Sequence, residues 1–264
     1  MKKIISLLLA LLLLCLCACG KPADSRFRTL EVLSTRQFGC ICRSGDRLTP
    51  VLEAAMERLA GTGTLSALSA ARLGSDRIVL DGDPAALETL EELPEPRTLI
   101  FGVEKNVYPL AYEENGELCG LCPDIAVAIG SVLGWDVMVL GISADEVGAQ
   151  LSSGNIDCAL GFDPELVSGA SKYSAGSCFL ESEIVLAVRT ESEIRRIRDL
   201  DGQRVGTVSD PAVLKAVRAD EKLTSHASGA TEYLSLDRCM EALDKGWCAA
   251  VVLDSLMLAF YRGE

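Results

Sequence analysis

The residues able to do chemistry along this 264-residue chain are mainly cysteines and acids. His226 is the sole histidine, and no Ser-His-Asp set, metal motif or phosphate loop accompanies it, so no nucleophile comes with a base. Cys119-x-x-Cys122 is the one cysteine pair at metal or redox spacing. A zinc site needs four ligands and no second pair follows, so the pair reads as a disulfide or as two buried thiols, and no metal or other cofactor is expected. Cys40 and Cys42 are expected on opposite faces of a strand, unable to bridge each other. Cys158 and Cys248 lie in apolar strand-like runs, where a thiol packs as a small hydrophobe. The other chemistry-bearing groups are carboxylates near the ends of apolar runs: Glu104, Asp163, Asp210 and Asp254. Glu104, Asp163 and Asp254 each read alone as solvated surface groups, and Asp210 before Pro211 as a helix cap.

The elements that must position these acids alternate in type. Residues 98–102 form an apolar strand-type run, and an irregular loop over 103–120 follows, with Pro109 and Asn115-Gly116 as turn signals. A helix then opens with Pro123 at its first position, presents Ile125, Ile129, Val132 and Leu133 on one face, and stops at Gly134. Residues 135–142 read as the next strand. Ser143-Ala144-Asp145-Glu146 is a capping box for a helix ending at Gly154, and 156–161 is a third strand. Strands and helices alternating at this spacing predict an α/β layer with a parallel sheet.

Met1-Lys2-Lys3, then an apolar run over residues 4–16, has the order of a secretory signal and is too short to span a bilayer. Leu16-Cys17-Ala18-Cys19 resembles the bacterial lipobox, which implies cleavage before Cys19 and a lipid on its sulfur; a plain signal peptide is the other reading. The formal net charge is −13 at pH 7, and loss of Lys2 and Lys3 takes it to about −15. Such a surface argues against nucleic acid as a partner and against adsorption to anionic lipid, so attachment depends on lipid chains at Cys19.

Several ordered motifs carry a resemblance. Gly102 and Pro109, then Asn115-Gly116-Glu117-Leu118-Cys119-Gly120-Leu121-Cys122-Pro123-Asp124-Ile125-Ala126, resemble the opening of the amino-acid-type (family 3) solute-binding proteins of bacterial ABC transporters. Leu151-Ser152-Ser153-Gly154-Asn155-Ile156-Asp157-Cys158-Ala159 is similar to that family's Leu-x-x-Gly-x-Ile-Asp-Ala motif. Leu200-Asp201-Gly202-Gln203-Arg204-Val205-Gly206-Thr207 resembles the entry to its second lobe, and residues 242–254, ending on Asp254, its Gly-x-x-Asp-Ala-x-x-x-Asp motif. The resemblance runs from residue 98 to 264 and implies an α/β, two-lobed type II periplasmic-binding-protein fold.

A family member has further elements after a helix such as 255–261, and similar ones stand at the other end of this chain. Residues 30–34 read as a second-lobe strand, and Phe38-Gly39-Cys40-Ile41-Cys42-Arg43-Ser44-Gly45-Asp46 resembles the family's crossover, expected to run beside 184–189. Residues 48–60 resemble its amphipathic helix, capped by Thr49 with Pro50 first, and Gly63-Thr64 resembles its closing turn. The resemblance therefore implies a circularly permuted domain over 27–264, after a signal peptide (1–18) and a tether (19–26). Lobe 1 covers about 36–183, including a joining segment 75–97 with a short helix over 85–93; lobe 2 covers 27–35 plus 188–264. A remnant of a tandem copy is the alternative, and a domain-swapped dimer uses the same pieces.

In such folds the solute lies in the crevice outside the carboxyl ends of the strands, where hinge closure traps it. Amino-acid binders grip the α-carboxylate with an arginine after the third strand, yet residues 162–171 contain none. Ser209-Asp210 stands at the family's Gly-Thr position, with Asp210 before Pro211 as a helix cap that repels a second carboxylate. Asp254 falls on the position that pairs with the ligand's amino group, Glu104 where binders of basic amino acids keep an acid, and Asp163 near the third-strand loop. Together they imply a cleft for an amino acid or amine-like, cationic solute, with Asp254 as its main partner and Tyr108 or Tyr112 stacking on it. Delivery to an ABC transporter permease is the implied role. A sensing or degenerate lipoprotein is the alternative, and a dehydratase-like enzyme using Glu104 or Asp254 as acid or base is a further one.

Overall fold

A computed structural model describes residues 26–167 and 173–263. The chain opens on one long strand, β1 (Phe27–Arg43), then two helices, α1 (Leu48–Gly61) and α2 (Thr64–Leu73). The alternating part follows: β2 (Thr98–Glu104), a hairpin of β3 (Tyr112–Glu114) and β4 (Glu117–Cys119), α3 (Leu121–Leu133), β5 (Asp136–Ile142), α4 (Val147–Ser153) and β6 (Cys158–Phe162). Beyond the short β7 (Tyr173–Ala175) come β8 (Leu180–Arg189), β9 (Arg204–Val208), α5 (Pro211–Ala219), α6 (Glu221–His226), β10 (Gly229–Tyr233), α7 (Leu236–Asp244), β11 (Ala250–Asp254) and α8 (Ser255–Arg262).

The strands order as β10-β9-β11-β8-β1-β6-β2-β5, with β7 also paired to β1. β10, β9 and β11 run parallel to one another, as do β6, β2 and β5. Between these groups lie β8 and β1. The first part of β1 is antiparallel to β8, from Phe27 opposite Arg189 to Phe38 opposite Leu180, and its last residues are antiparallel to β6, Cys42 opposite Cys158. The N-terminal strand is thus the middle of the sheet, and residues 29–74 do not form a separate body.

This corrects the expected strand over 30–34 and separate crossover over 38–46. Ser34-Thr35-Arg36-Gln37 is polar, but β1 continues through it because β8 supplies a partner at every one of these positions. Residues 39–43 therefore lie beside β6 and β7, while 27–34 lie beside 184–189. A second correction concerns Cys40 and Cys42. Residues two apart in a strand share a face; both thiols turn into the main core with Cys158, while Ile41 between them faces a smaller core with Ile142, Val147 and Ile156. The eight cysteines among the described residues are free thiols, Cys119 partly exposed and Cys122 buried.

Helix stops fell where glycine was expected, Gly134 and Gly154 each taking a left-handed conformation as C-cap. Helix starts differ by a residue or two. Pro123 is third in α3 rather than first, which the free N–H groups of a first turn allow. Thr49 and Pro50 lie inside α1, whose opening Leu48 N–H is received by Asp46 Oδ1 at 3.0 Å. The Ser143/Glu146 pair closes the turn just before α4, Ser143 N–H donating to Glu146 Oε2 at 2.8 Å. In the joining segment a 3-10 turn, Ala86–Thr89, stands where the short helix was expected, and Ile78 makes an isolated antiparallel bridge to Leu180. The segment lies close on α1: a Cβ on Gly82 would come within 2.0 Å of Gly61 N.

Candidate functional site

Three acids from distant parts of the sequence meet because each stands at the end of a parallel strand or the start of the following helix. Glu104 closes β2. Asp210 follows β9 and N-caps α5, its Oδ1 accepting the N–H of Ala212 at 2.8 Å and of Val213 at 3.2 Å. Asp254 closes β11 and N-caps α8, its Oδ1 accepting the N–H of Leu256 at 2.9 Å. Sheet order brings these ends toward the middle of β1, where Arg36 points among them.

Arg36 is the residue that sequence reading missed. Its side chain is 1% exposed. One terminal nitrogen donates to Asp210 Oδ2 at 2.9 Å and stands 3.8 Å from Asp254 Oδ2; the other donates to Glu104 Oε2 at 3.1 Å. Its guanidinium carbon lies 4.6 Å from the centroid of the Phe38 ring, a cation–π contact. Ser182 Oγ donates to Asp254 Oδ2 at 2.6 Å, so both Asp254 oxygens are engaged. Asp210 is committed in the same way. Glu104 differs: Oε2 receives Arg36, and Oε1 has no hydrogen-bond partner among the described residues.

Burial governs the charges. It pushes Glu104 up to about 7 and Asp254 up to about 6, outweighing the opposing pull of Arg36 on each. Burial is the largest single influence on the Arg36 guanidinium and opposes its charge, but Asp210, Glu104 and Asp254 together outweigh it and hold the group well above its ordinary value. A folded acid that keeps its proton more tightly than the unfolded chain contributes stability at low pH. That contribution is full below the ordinary carboxylate range and is lost as pH rises through about 6 to 7. Denaturant titrations from pH 4 to 8 should show this decline, and Glu104→Gln should remove its own share of the slope.

The cleft beside this cluster has a volume of about 580 Å³. Glu104, Tyr108, Ser209 and Asp210 of the expected residues line it, together with Lys105, Asn106, Ser143, Asp145, Ser235 and Met257. Asp163, Tyr112 and Asp254 do not. Asp163 caps the turn after β6, accepting the Glu165 N–H at 2.9 Å, and burial raises its affinity for a proton. Tyr112 stacks on Tyr108 at 4.8 Å between centroids, and both rings lie against Phe260 of α8. Lys105 is the one cation among the lining residues, opposite three acids. A signal for Lys105 existed, its place beside Glu104 after β2; Arg36 had none, because its partners lie 68 and 174 residues away. Cys19 lies outside the described residues.

Several solved structures are similar to this chain. A mutant of the arginine-bound ArgBP from T. maritima is 20% identical over 62% of this chain and 76% of its own, with a TM-score of 0.47. An ABC uptake transporter substrate binding protein from Streptococcus pneumoniae with bound histidine is 19% identical over 62% and 68%, with a TM-score of 0.50. The ancestral amino acid-binding protein AncCDT-1, a precursor of cyclohexadienyl dehydratase, is 19% identical over 62% and 73%, with a TM-score of 0.47. At 19% identity and a TM-score of 0.50, the likeness to the histidine-bound protein is one of fold alone, the type II periplasmic-binding-protein architecture. The model of one sequence family matches residues 99–250, from the second residue of β2 to the first of β11, and the chain belongs to that family, the bacterial extracellular solute-binding proteins, family 3.

Proposed function

We propose that this protein holds a small amine-bearing solute, an amino acid or a related amine, in the cleft between its two lobes and hands it to an ABC transporter permease. One observation carries the reading: Glu104 lines the cleft, and of the three clustered acids it alone has an uncommitted carboxylate oxygen. An arriving ammonium meets Oε1, and its charge favours the ionised form of a group otherwise balanced near pH 7. Lys105 supplies the opposite charge for the carboxylate of an amino acid, in place of the arginine that residues 162–171 lack. The Ser235 hydroxyl, which accepts the Arg238 N–H, keeps its proton for a solute, whereas those of Ser143 and Ser209 donate to Glu146 and Glu232. This moves the main role from Asp254, whose oxygens are engaged within the protein, to Glu104.

The reading includes a lipid anchor at Cys19, supported by the lipobox-like end of the apolar leader, and a permuted chain order. The latter is supported by β1, which lies between β8 and β6, and by α1 and α2, which pack their apolar residues into the same core as α3. A second reading, a sensor or a receptor that has lost its solute, draws support from Arg36, which already engages the acids.

A thermal-shift screen of the mature protein against amino acids, polyamines and small peptides tests the reading, since a ligand raises the melting temperature by mass action. Amine-bearing solutes should give the shifts, with dicarboxylates and neutral sugars giving none. The reverse order would remove the charge argument. A screen in which nothing binds would decide for the second reading.

A further inference from the structure

We propose that Arg36 is a tethered occupant of a cation subsite: its guanidinium fills a place built to hold the charged end of a solute, and so determines which solutes the cleft admits. The place has the parts of a guanidinium site. Carboxylates converge on it from both sides of β1, Glu104 from the β2 end and Asp210 and Asp254 from the β9 and β11 ends. The Phe38 ring lies against the guanidinium. The grip is on the two terminal nitrogens alone; Nε is buried and has no partner among the described residues. Recognition of the tip of the group, with the rest of the side chain as tether, is how a free guanidinium is also held.

Two consequences follow from the geometry. With Arg36 in place, a solute's guanidinium or second ammonium finds Asp210 and Asp254 taken, and of this cluster only Glu104 Oε1 remains to receive a single amine. Because Arg36 joins acids from both sides of β1, it also ties the two sides of the cleft together without a solute. The inference rests on the cleft being the solute site, but its test separates the two.

The test uses the full mature chain and ethylguanidinium, which replaces the end of the arginine side chain. Arg36→Ala should melt several degrees below the wild type. Millimolar ethylguanidinium should bind it saturably and restore most of that loss, while methylammonium and sodium chloride at equal concentration do not. The wild type should not respond. Adding Asp210→Asn to Arg36→Ala should weaken ethylguanidinium binding at least tenfold, an effect that loss of packing alone would not produce. Equal responses of wild type and variant, or no saturable binding by the variant, overturn the proposal. If Arg36→Ala does not fold, the small polar variant Arg36→Ser, which leaves the same space open, is titrated in the same way, and absence of saturable binding there overturns it. Ethylguanidinium bound by the variant while the wild type binds no amine leaves the occupant standing and removes the solute reading. Amines bound by the wild type with no rescue of the variant do the opposite.

Discussion

Arg36→Met should destabilise the folded protein by about 3–5 kcal/mol at pH 8 and by markedly less at pH 5. The size follows from what the substitution leaves behind. Methionine keeps an apolar body against Phe38, but Glu104, Asp210 and Asp254 lose their shared counter-charge while remaining buried. Breaking a buried ion pair by deleting one partner costs this much because the remaining charge is uncompensated. The pH dependence follows from the acids. Glu104 and Asp254 already hold protons near neutrality, at about 7 and about 6, so at pH 5 both are neutral and the missing guanidinium matters less. Urea denaturation of wild type and variant at the two pH values measures the difference. An equal loss at both would mean that Arg36 contributes packing rather than charge.

Glu104→Gln should weaken binding of the preferred amine by about 2–5 kcal/mol, the range for deleting one partner of a buried charged contact, or roughly thirtyfold to several thousandfold. The fold should survive, since glutamine still offers Arg36 an acceptor oxygen. In the wild type, affinity for the amine should rise as pH passes through about 7 and level off above it, as Glu104 gives up its proton. In Glu104→Gln that rise should vanish. Asp254→Asn should have the smaller effect on affinity, because Asp254 does not line the cleft and its oxygens are engaged by Arg36, Ser182 and the Leu256 N–H. Titrating the amine into the three proteins between pH 6 and 8.5 ranks them; a larger loss in Asp254→Asn would restore Asp254 as the direct partner.

Much of this arrangement could be read from the sequence wherever one local cause suffices. Gly134 and Gly154 mark helix ends because a left-handed residue favours glycine, and Asp210-Pro211 marks the start of α5 because cap and proline are adjacent. The acids at strand ends were legible too, since strand, turn and helix place them in order. What could not be read is what those acids touch. The polar run 34–37 becomes strand only because β8 pairs with it, and Arg36 is buried only because three carboxylates distant in sequence surround it. Asp254 was placed correctly at the end of β11, yet nothing near it in sequence shows that Ser182 engages it, 72 residues away. Cleft exposure is a property of the assembled sheet, and so the choice between Asp254 and Glu104 required the structure.

The most direct test of the account is calorimetric titration of the best amine at pH 7 in two buffers of different ionisation enthalpy, with wild type and Glu104→Gln. Saturable one-site binding by the wild type with net proton release is expected, and weak binding without proton release by the variant. Binding of equal strength and equal proton balance in the two proteins, or tighter binding of a dicarboxylate than of any amine, would contradict it.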